Sequence, residues 1–415
     1  MNSGFLFKKN LDIKSLFLVI LLLLQEKFFY LIPLNGLYVL NGNQQQILMV
    51  LITIFSFILM FLVHKVKQTR FSSFALCIFF CCYLGAFVHS ASVNGQSIVD
   101  VFIASNYYLM ILSFPLFYLI IEERGLISFL KYIVWFAAVN IAVCWLQYLC
   151  AGFGFIFTKM SLEGSRFGSL RIWDMSETLT CVGVIVSLLF FLYNKTKYKY
   201  IYLLIYIVGL LGNIYVSKGR IALIGIILAS IIIILFKFKK NAISVFAIII
   251  AILALFYVVP STDIGQMYFN SFDQAETNTA SVRMREYNYY YQQICSNPIW
   301  GIGFIRDNGD LASVILRGPI GQYSRTDIGL IGVWDTIGLA GFIWFVLMHI
   351  RFVYILFKRW AYFKDFDKSI LLSLLIFSLV LMPTMAMLNP FSITTFIIIF
   401  AIFESYSVLI SQKEY

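Results

Sequence analysis

The chain has 415 residues, 61% of them hydrophobic and only 12% charged, with a formal net charge of +11. Soluble globular domains carry roughly 25% charged residues, so this composition excludes a water-soluble fold and points to an integral membrane protein. Apolar runs of about 20 residues select helices over the strands of about 10 residues that build a membrane β-barrel.

The expected fold is all-α, a single polytopic domain over 1–415 with about twelve transmembrane helices. In chain order the runs lie near 12–30, 46–64, 71–89, 99–120, 127–153, 176–193, 199–216, 221–236, 242–260, 329–350, 369–387 and 391–409. The first follows Lys8 and Lys9 as a secretory leader would, but has no small-residue cleavage site and is expected to stay as a helix. Gln25, Glu26 and Lys27 make it the least regular of the set. The long gap at 261–328 is expected to be one large loop with short amphipathic helices, and 154–175 a smaller loop on the same face.

Alternate connections carry most of the basic residues: Lys8 and Lys9; Lys65, Lys67 and Arg70; Arg124; Lys195, Lys197 and Lys199; Lys237, Lys239 and Lys240; Arg351, Lys358, Arg359, Lys364 and Lys368; and Lys413. The connections near 90–98 and 387–390 have no Lys or Arg. The positive-inside rule therefore puts the lysine-bearing set and both termini in the cytoplasm, and accounts for the net charge without nucleic acid. The 261–328 loop then lies outside, yet holds Arg283, Arg285, Arg306, Arg317 and Arg325 and no lysine. Topology disfavours that charge there. Arginine without lysine suits planar, bidentate binding of phosphate or carboxylate.

Three segments carry chemistry. Ser217-Lys218-Gly219-Arg220 opens a very apolar helix. Arg220 is either an interface anchor or a phosphate ligand helped by the helix N-terminus. Thr279 or Ser281 caps a helix that ends before Pro298 and places Arg283, Tyr287, Tyr290 and Ile294 on one face, with Arg285, Tyr289 and Gln292 beside it. Its tyrosines suit an interfacial aromatic belt or stacking on sugar rings. Asp327 stands at the membrane border and Asp335 about two turns inside the next span, as a functional carboxylate or as the partner of an arginine. Gly338 and Gly341 permit close helix packing. Seven cysteines, six of them in apolar runs, form no disulfide framework, and no Cys/His spacing resembles a metal site.

In order and placement these segments resemble the superfamily of O-antigen polymerases and O-antigen ligases. The family shows a Ser-x-Ser-Arg-like turn, matched by Ser217 to Arg220 with Gly219 in place of the second serine. It shows a helix running into Pro-x-x-Gly-x-Gly, matched by Arg283 and by Pro298, Gly301 and Gly303. An acidic residue and Gly-x-x-Gly follow, matched by Asp335, Gly338 and Gly341. The ligase branch typically has a histidine near the end of the loop. Here the histidines are His64, His89 and His349, none in the loop, which favours the polymerase branch.

The resemblance implies a membrane glycosyltransferase of the bacterial inner membrane whose active site faces the periplasm. It would move a growing glycan from undecaprenyl diphosphate to the nonreducing end of another lipid-linked repeat unit. Arg220 and Arg283 are the first candidates to clamp the diphosphate, with Arg285 and Arg325 behind them. Asp327 or Asp335 is the candidate base, and Glu163, Arg166 and Tyr287 are candidates for sugar binding. Membrane lipids and a chain-length regulator are the further partners. With no P-loop and no nucleotide-binding Gly motif, no cofactor is expected. A flippase or transporter of the same lipid-linked oligosaccharide and an O-antigen ligase are the alternatives.

Overall fold

The computed structural model describes residues 13–30, 44–63, 70–156, 158, 162–166, 169–238, 279–307, 311–321, 323–358 and 360–411. Helices α1 (Ile13–Gln25), α2 (Gln44–Val63), α3 (Arg70–Val93), α4 (Ile98–Ser105), α5 (Phe114–Arg124) and α6 (Leu126–Gly152) come first. A hairpin of β1 (Leu162–Arg166) and β2 (Ser169–Ile172) leads into α7 (Thr178–Tyr193), α8 (Lys199–Gly212) and α9 (Arg220–Phe238). Then come α10 (Thr279–Ser296), α11 (Gly329–Lys358), α12 (Asp365–Leu381) and α13 (Ile393–Ser411).

Helices that are apolar all round must be buried, and α5, α7 and α13 form the centre. Residues Phe114–Ile121, Thr178–Phe190 and Ile393–Tyr406 are all buried. Phe114 stacks on Phe400 at 4.4 Å and Phe352 on Phe403 at 4.5 Å. The rim helices turn an apolar side outward: Phe74, Leu84 and Val88 on α3, Leu204 and Ile207 on α8, Ile224 and Ile227 on α9. Exposed apolar side chains in such number are what a bilayer solvates. Among the described residues, 6 helical segments are long and apolar enough to cross a membrane. Each expected span except 242–260 overlaps helix, with 369–387 helical only to Leu381, and 242–260 lies outside the described residues.

The all-α expectation needs one addition and two corrections. The 154–175 loop folds back as the antiparallel pair β1–β2, with Leu162 opposite Ile172 and Glu163 opposite Arg171. The run 99–120 is not one helix: α4 gives way to a 3₁₀ stretch, Asn106–Ser113, before α5 restarts with Pro115 in its first turn. Asn106 folds its amide back to the Ile103 carbonyl at 3.0 Å, a local bond that competes with the helix ladder. The run 329–350 is broken at Gly338, whose φ of 71° and ψ of −179° lie outside helical space.

Several connecting segments touch one another. Asn94 and Gln96 bond to Ile302 and Phe304. Tyr287 donates to the Pro383 carbonyl, and Gly219 packs on Ser176.

Candidate functional site

The centre of the site is the break in α11. In an unbroken helix the Leu339 N–H would donate to the Asp335 carbonyl four residues back. Gly338 turns the chain away, so both groups need other partners. The segment after α10 supplies them. Leu339 N–H donates to the Ile299 carbonyl at 2.9 Å, while the Asp335 carbonyl accepts from Ile302 N–H at 2.9 Å and Gly303 N–H at 3.0 Å. Trp334 Nε1 donates to the Pro298 carbonyl at 2.8 Å. The glycines are required by this approach. Gly301 has φ +65°, and a Cβ there would strike the Asp335 carbonyl; a Cβ on Gly338 would strike the Ile299 carbonyl. The Pro-x-x-Gly-x-Gly segment and the Gly-x-x-Gly segment are thus two halves of one joint.

The other edge of the segment is strapped to α3 and α4. Phe304 N–H donates to Ser90 Oγ at 2.7 Å, Asn94 Nδ2 to the Ile302 carbonyl at 2.8 Å, and Gln96 Nε2 to the Phe304 carbonyl at 2.7 Å. Arg306 pairs with Asp100. His89 stacks on Trp300 with ring centroids 5.8 Å apart, and Asn297 Nδ2 lies 3.0 Å from His89 Nε2. A histidine therefore does reach the loop, from α3, where a search of the loop's own residues does not find it.

Helix α10 spans Thr279–Ser296 and ends before Pro298; Thr279 and Ser281, the expected caps, both lie within the helix. It buries Glu286, Tyr290 and Ile294, half-buries Arg283 and Tyr287, and exposes Arg285 and Gln292. Its tyrosines are fasteners. Tyr289 Oη donates to the Ile315 carbonyl at 2.9 Å and Tyr290 Oη to that of Leu316, both at the end of a π-helical turn with orphan carbonyls. Burial pushes the Tyr290 phenol above its ordinary range.

A 3₁₀ turn, Arg325–Asp327, capped by Ser324, aims Arg325 into the joint. Its Nη1 donates to the Gly303 carbonyl at 2.6 Å, lies 3.2 Å from Asp335 Oδ2, and reaches Thr336 Oγ1 at 3.5 Å. Asp335 is 0% exposed, and its Oδ1 has no hydrogen-bond partner among the described residues. Beside this pair lies Glu286, which the sequence reading missed. Its Oε1 accepts the Ser324 N–H at 3.2 Å while Oε2 and the nearby Arg283 Nε are buried without a hydrogen bond. Burial, and then the like charge of Asp327, raise this carboxyl to about 7, against the Ser324 N–H and Arg283. The joint thus collects Arg283 and Arg325 with three carboxylates. It has unused donor and acceptor capacity, as a site for an anionic, hydroxylated ligand requires.

Arg220 starts α9 after a tight turn in which Lys218 adopts φ 52°. Arg171, one of the outer-segment arginines, donates Nε to the Ser217 carbonyl at 2.7 Å and stacks on Trp173 at 4.3 Å. Gly219 leaves 3.0 Å between a notional Cβ and Ser176, so the turn sits directly on Trp173–Ser176. Buried Asp174 and Glu177 flank that contact, and Thr180 links it to buried Glu26 at 3.5 Å. Their signal in the sequence was acidic residues at span borders, which topology alone does not call for. Glu163 and Arg166 are both on β1. Their side chains lie outside the described residues. Asp327 is half-buried in its turn, and Arg317 and Arg285 are exposed. Among the described residues no group of three His, Cys, Asp or Glu is arranged to hold a metal ion.

No curated protein matches the chain. Residues 205–346 match the family model described as O-antigen ligase, a stretch that runs from α8 to α11 and includes Arg220, Arg283, Glu286, Arg325, Asp335 and the Gly338 joint. The match supports the superfamily of O-antigen ligases and polymerases for this multi-pass membrane protein and does not separate the two branches.

Proposed function

We propose that the protein is an O-antigen or related surface-polysaccharide polymerase acting at the periplasmic face of the bacterial inner membrane. It transfers the growing glycan from undecaprenyl diphosphate to the nonreducing end of another lipid-linked repeat unit. The acceptor hydroxyl oxygen attacks the anomeric carbon, the bond from that carbon to the diphosphate oxygen breaks, and the diphosphate leaves with the electron pair. The hydroxyl proton passes to a carboxylate, Asp327 or Asp335. The leaving group is already good, so the arginines do most by stabilising its charge. Arg220 and Arg283 are assigned to the diphosphate, with Arg325 and Arg285 behind them; Glu163, Arg166 and Tyr287 are assigned to sugar.

The observation that carries this reading is the joint at Gly338. It brings a polar, arginine-bearing cluster to the end of an otherwise apolar bundle, inside the region that matches the family. Deletion of the gene followed by gel analysis of surface polysaccharide tests it. A single repeat unit on the lipid core identifies a polymerase. Polymer built but absent from the core identifies a ligase, and units stranded in the cytoplasm identify a flippase.

One observation favours the ligase as a second reading. His89 lies 3.0 Å from Asn297 at the joint, so the absence of histidine from the loop sequence does not argue against that branch.

A further inference from the structure

We propose that Glu286 is a positioning residue for Arg325, resting on the glycan-transfer reading above. Three contacts lead there. Glu286 is 3% exposed on a helix held in place by Tyr289, Tyr290 and Gln293, each donating to carbonyls of Ile315 or Leu316. From that fixed post its Oε1 accepts the backbone N–H of Ser324 at 3.2 Å. The next residue is Arg325, whose single nitrogen Nη1 serves Gly303, Asp335 and Thr336 at once.

Two other bonds of the turn are local. Ser324 Oγ lies 2.7 Å from Thr326 Oγ1, and Asp327 N–H donates to the Ser324 carbonyl at 3.1 Å. Bonds of that kind shape the turn but do not locate it against α10. The Glu286 bond crosses between the two elements and, together with Tyr323 and Ile328 packed against Tyr290, sets where the guanidinium begins its reach. A displacement of about 1 Å at a positioned cation is enough to cost up to two orders of magnitude in rate, which makes such a tether functional rather than decorative. The groups facing Glu286 are Arg283 and Tyr287 on its own helix and Asp327 on the turn, with Arg325 and Asp335 beyond Tyr290.

The test is a double-mutant cycle in cells deleted for the gene and carrying full-length variants, with labelled polymer per minute read at matched membrane abundance. Glu286→Ala is expected to lower the rate by about tenfold, and Glu286→Gln, whose amide oxygen still accepts the Ser324 N–H, to restore it to within about threefold of wild type. Glu286→Asp keeps the charge but draws the acceptor back by one methylene, and should behave as Glu286→Ala; it serves if the alanine variant fails to accumulate. Glu286→Ala with Arg325→Ala should be no worse than Arg325→Ala alone, because one residue acts through the other. Multiplying losses, or Gln falling as far as Ala, would overturn the tether while leaving the transfer reading intact. Normal polymer from Arg325→Ala would instead remove Arg325 from the reaction and the tether's purpose with it.

Discussion

Helix α11 carries two arginine–carboxylate pairs, one near each end, and they are built differently. Arg351 meets Glu404 of α13 in a fork, Nε to Oε1 at 2.9 Å and Nη2 to Oε2 at 3.3 Å. Nη2 also donates to Ser407 Oγ at 3.1 Å, and the guanidinium lies 4.4 Å over Phe71. Asp335 meets Arg325 through one nitrogen, shared with two other acceptors, and its second oxygen has no hydrogen bond among the described residues. Both carboxylates are 0% exposed, so burial does not distinguish them. Saturation does. A buried pair that meets all its hydrogen-bonding needs holds helices together, whereas one that leaves capacity over is arranged for something else. Lys14 and Glu404 are buried in ion pairs with Glu123 and Arg351, and buried Glu26 accepts from Thr180, as in a packed scaffold.

The comparison breaks most sharply by substituting both members of each pair. Arg351→Ala strands Glu404, at a cost of about 3–5 kcal/mol, and the protein should fail to accumulate in membranes. Arg351→Met with Glu404→Leu should restore accumulation, since an apolar pair of similar volume packs as well. Arg325→Met with Asp335→Leu should likewise accumulate but make polymer about 10²–10³-fold more slowly, measured as labelled polymer against membrane abundance. Polymer at the wild-type rate from that variant would make the two pairs equivalent.

Gly338→Ala attacks the joint that separates the two pairs. Its φ of 71° with ψ of −179° is glycine-only space, worth about 1–3 kcal/mol, and the added methyl meets the Ile299 carbonyl. Polymer synthesis should be lost, with melting of the detergent-purified protein lowered less than in Arg351→Ala. Gly152→Ala tests the specificity of the effect, because Gly152 closes α6 and a notional Cβ there has nothing within 4 Å. It should be nearly neutral.

How much of this was legible follows from the range of the interaction. Composition and apolar length marked the membrane helices, and the end of α10 was marked by Pro298, which acts within a few residues of itself. Asp335 stood out as a lone carboxylate in an apolar run. Gly338 was legible only as a small residue: its break makes sense once the carbonyl of Ile299, some forty positions earlier, is in place. Glu286 lies one helical turn from Arg283 but carries no local signal, because nothing nearby in sequence says that Ser324 covers it. His89 was missed for the same reason, with Asn297 and Trp300 more than two hundred positions away.

A smaller effect tests the strap to α3 and α4. Gln96→Ala removes the bonds to the Phe304 carbonyl and the Arg306 N–H, worth about 1 kcal/mol each, without touching either pair on α11. Melting should fall by a few degrees while the polymer rate stays within about threefold of wild type. A loss of rate as large as that of Gly338→Ala would mean that the strap, and not the joint, positions Arg325.

The smallest effect separates Glu286 from the carboxylates that stabilise by ionising. Burial and Asp327 raise its carboxyl from 4.5 to about 7 in the folded protein. For an acid shifted upward the ionised form is the one the fold penalises. The penalty is therefore absent at low pH, grows as pH rises through the interval between the unfolded value and about 7, and is constant above it. Glu286→Gln mimics the neutral form at every pH. Its melting temperature should match wild type near pH 4, exceed it by about a degree or two at pH 8, and hold that gap at pH 9. A gap of the opposite sign would mean that the ionised carboxylate is stabilised by Arg283 more than it is penalised by burial and Asp327. Glu286 would then belong with Glu404 as a saturated scaffold charge rather than with Asp335.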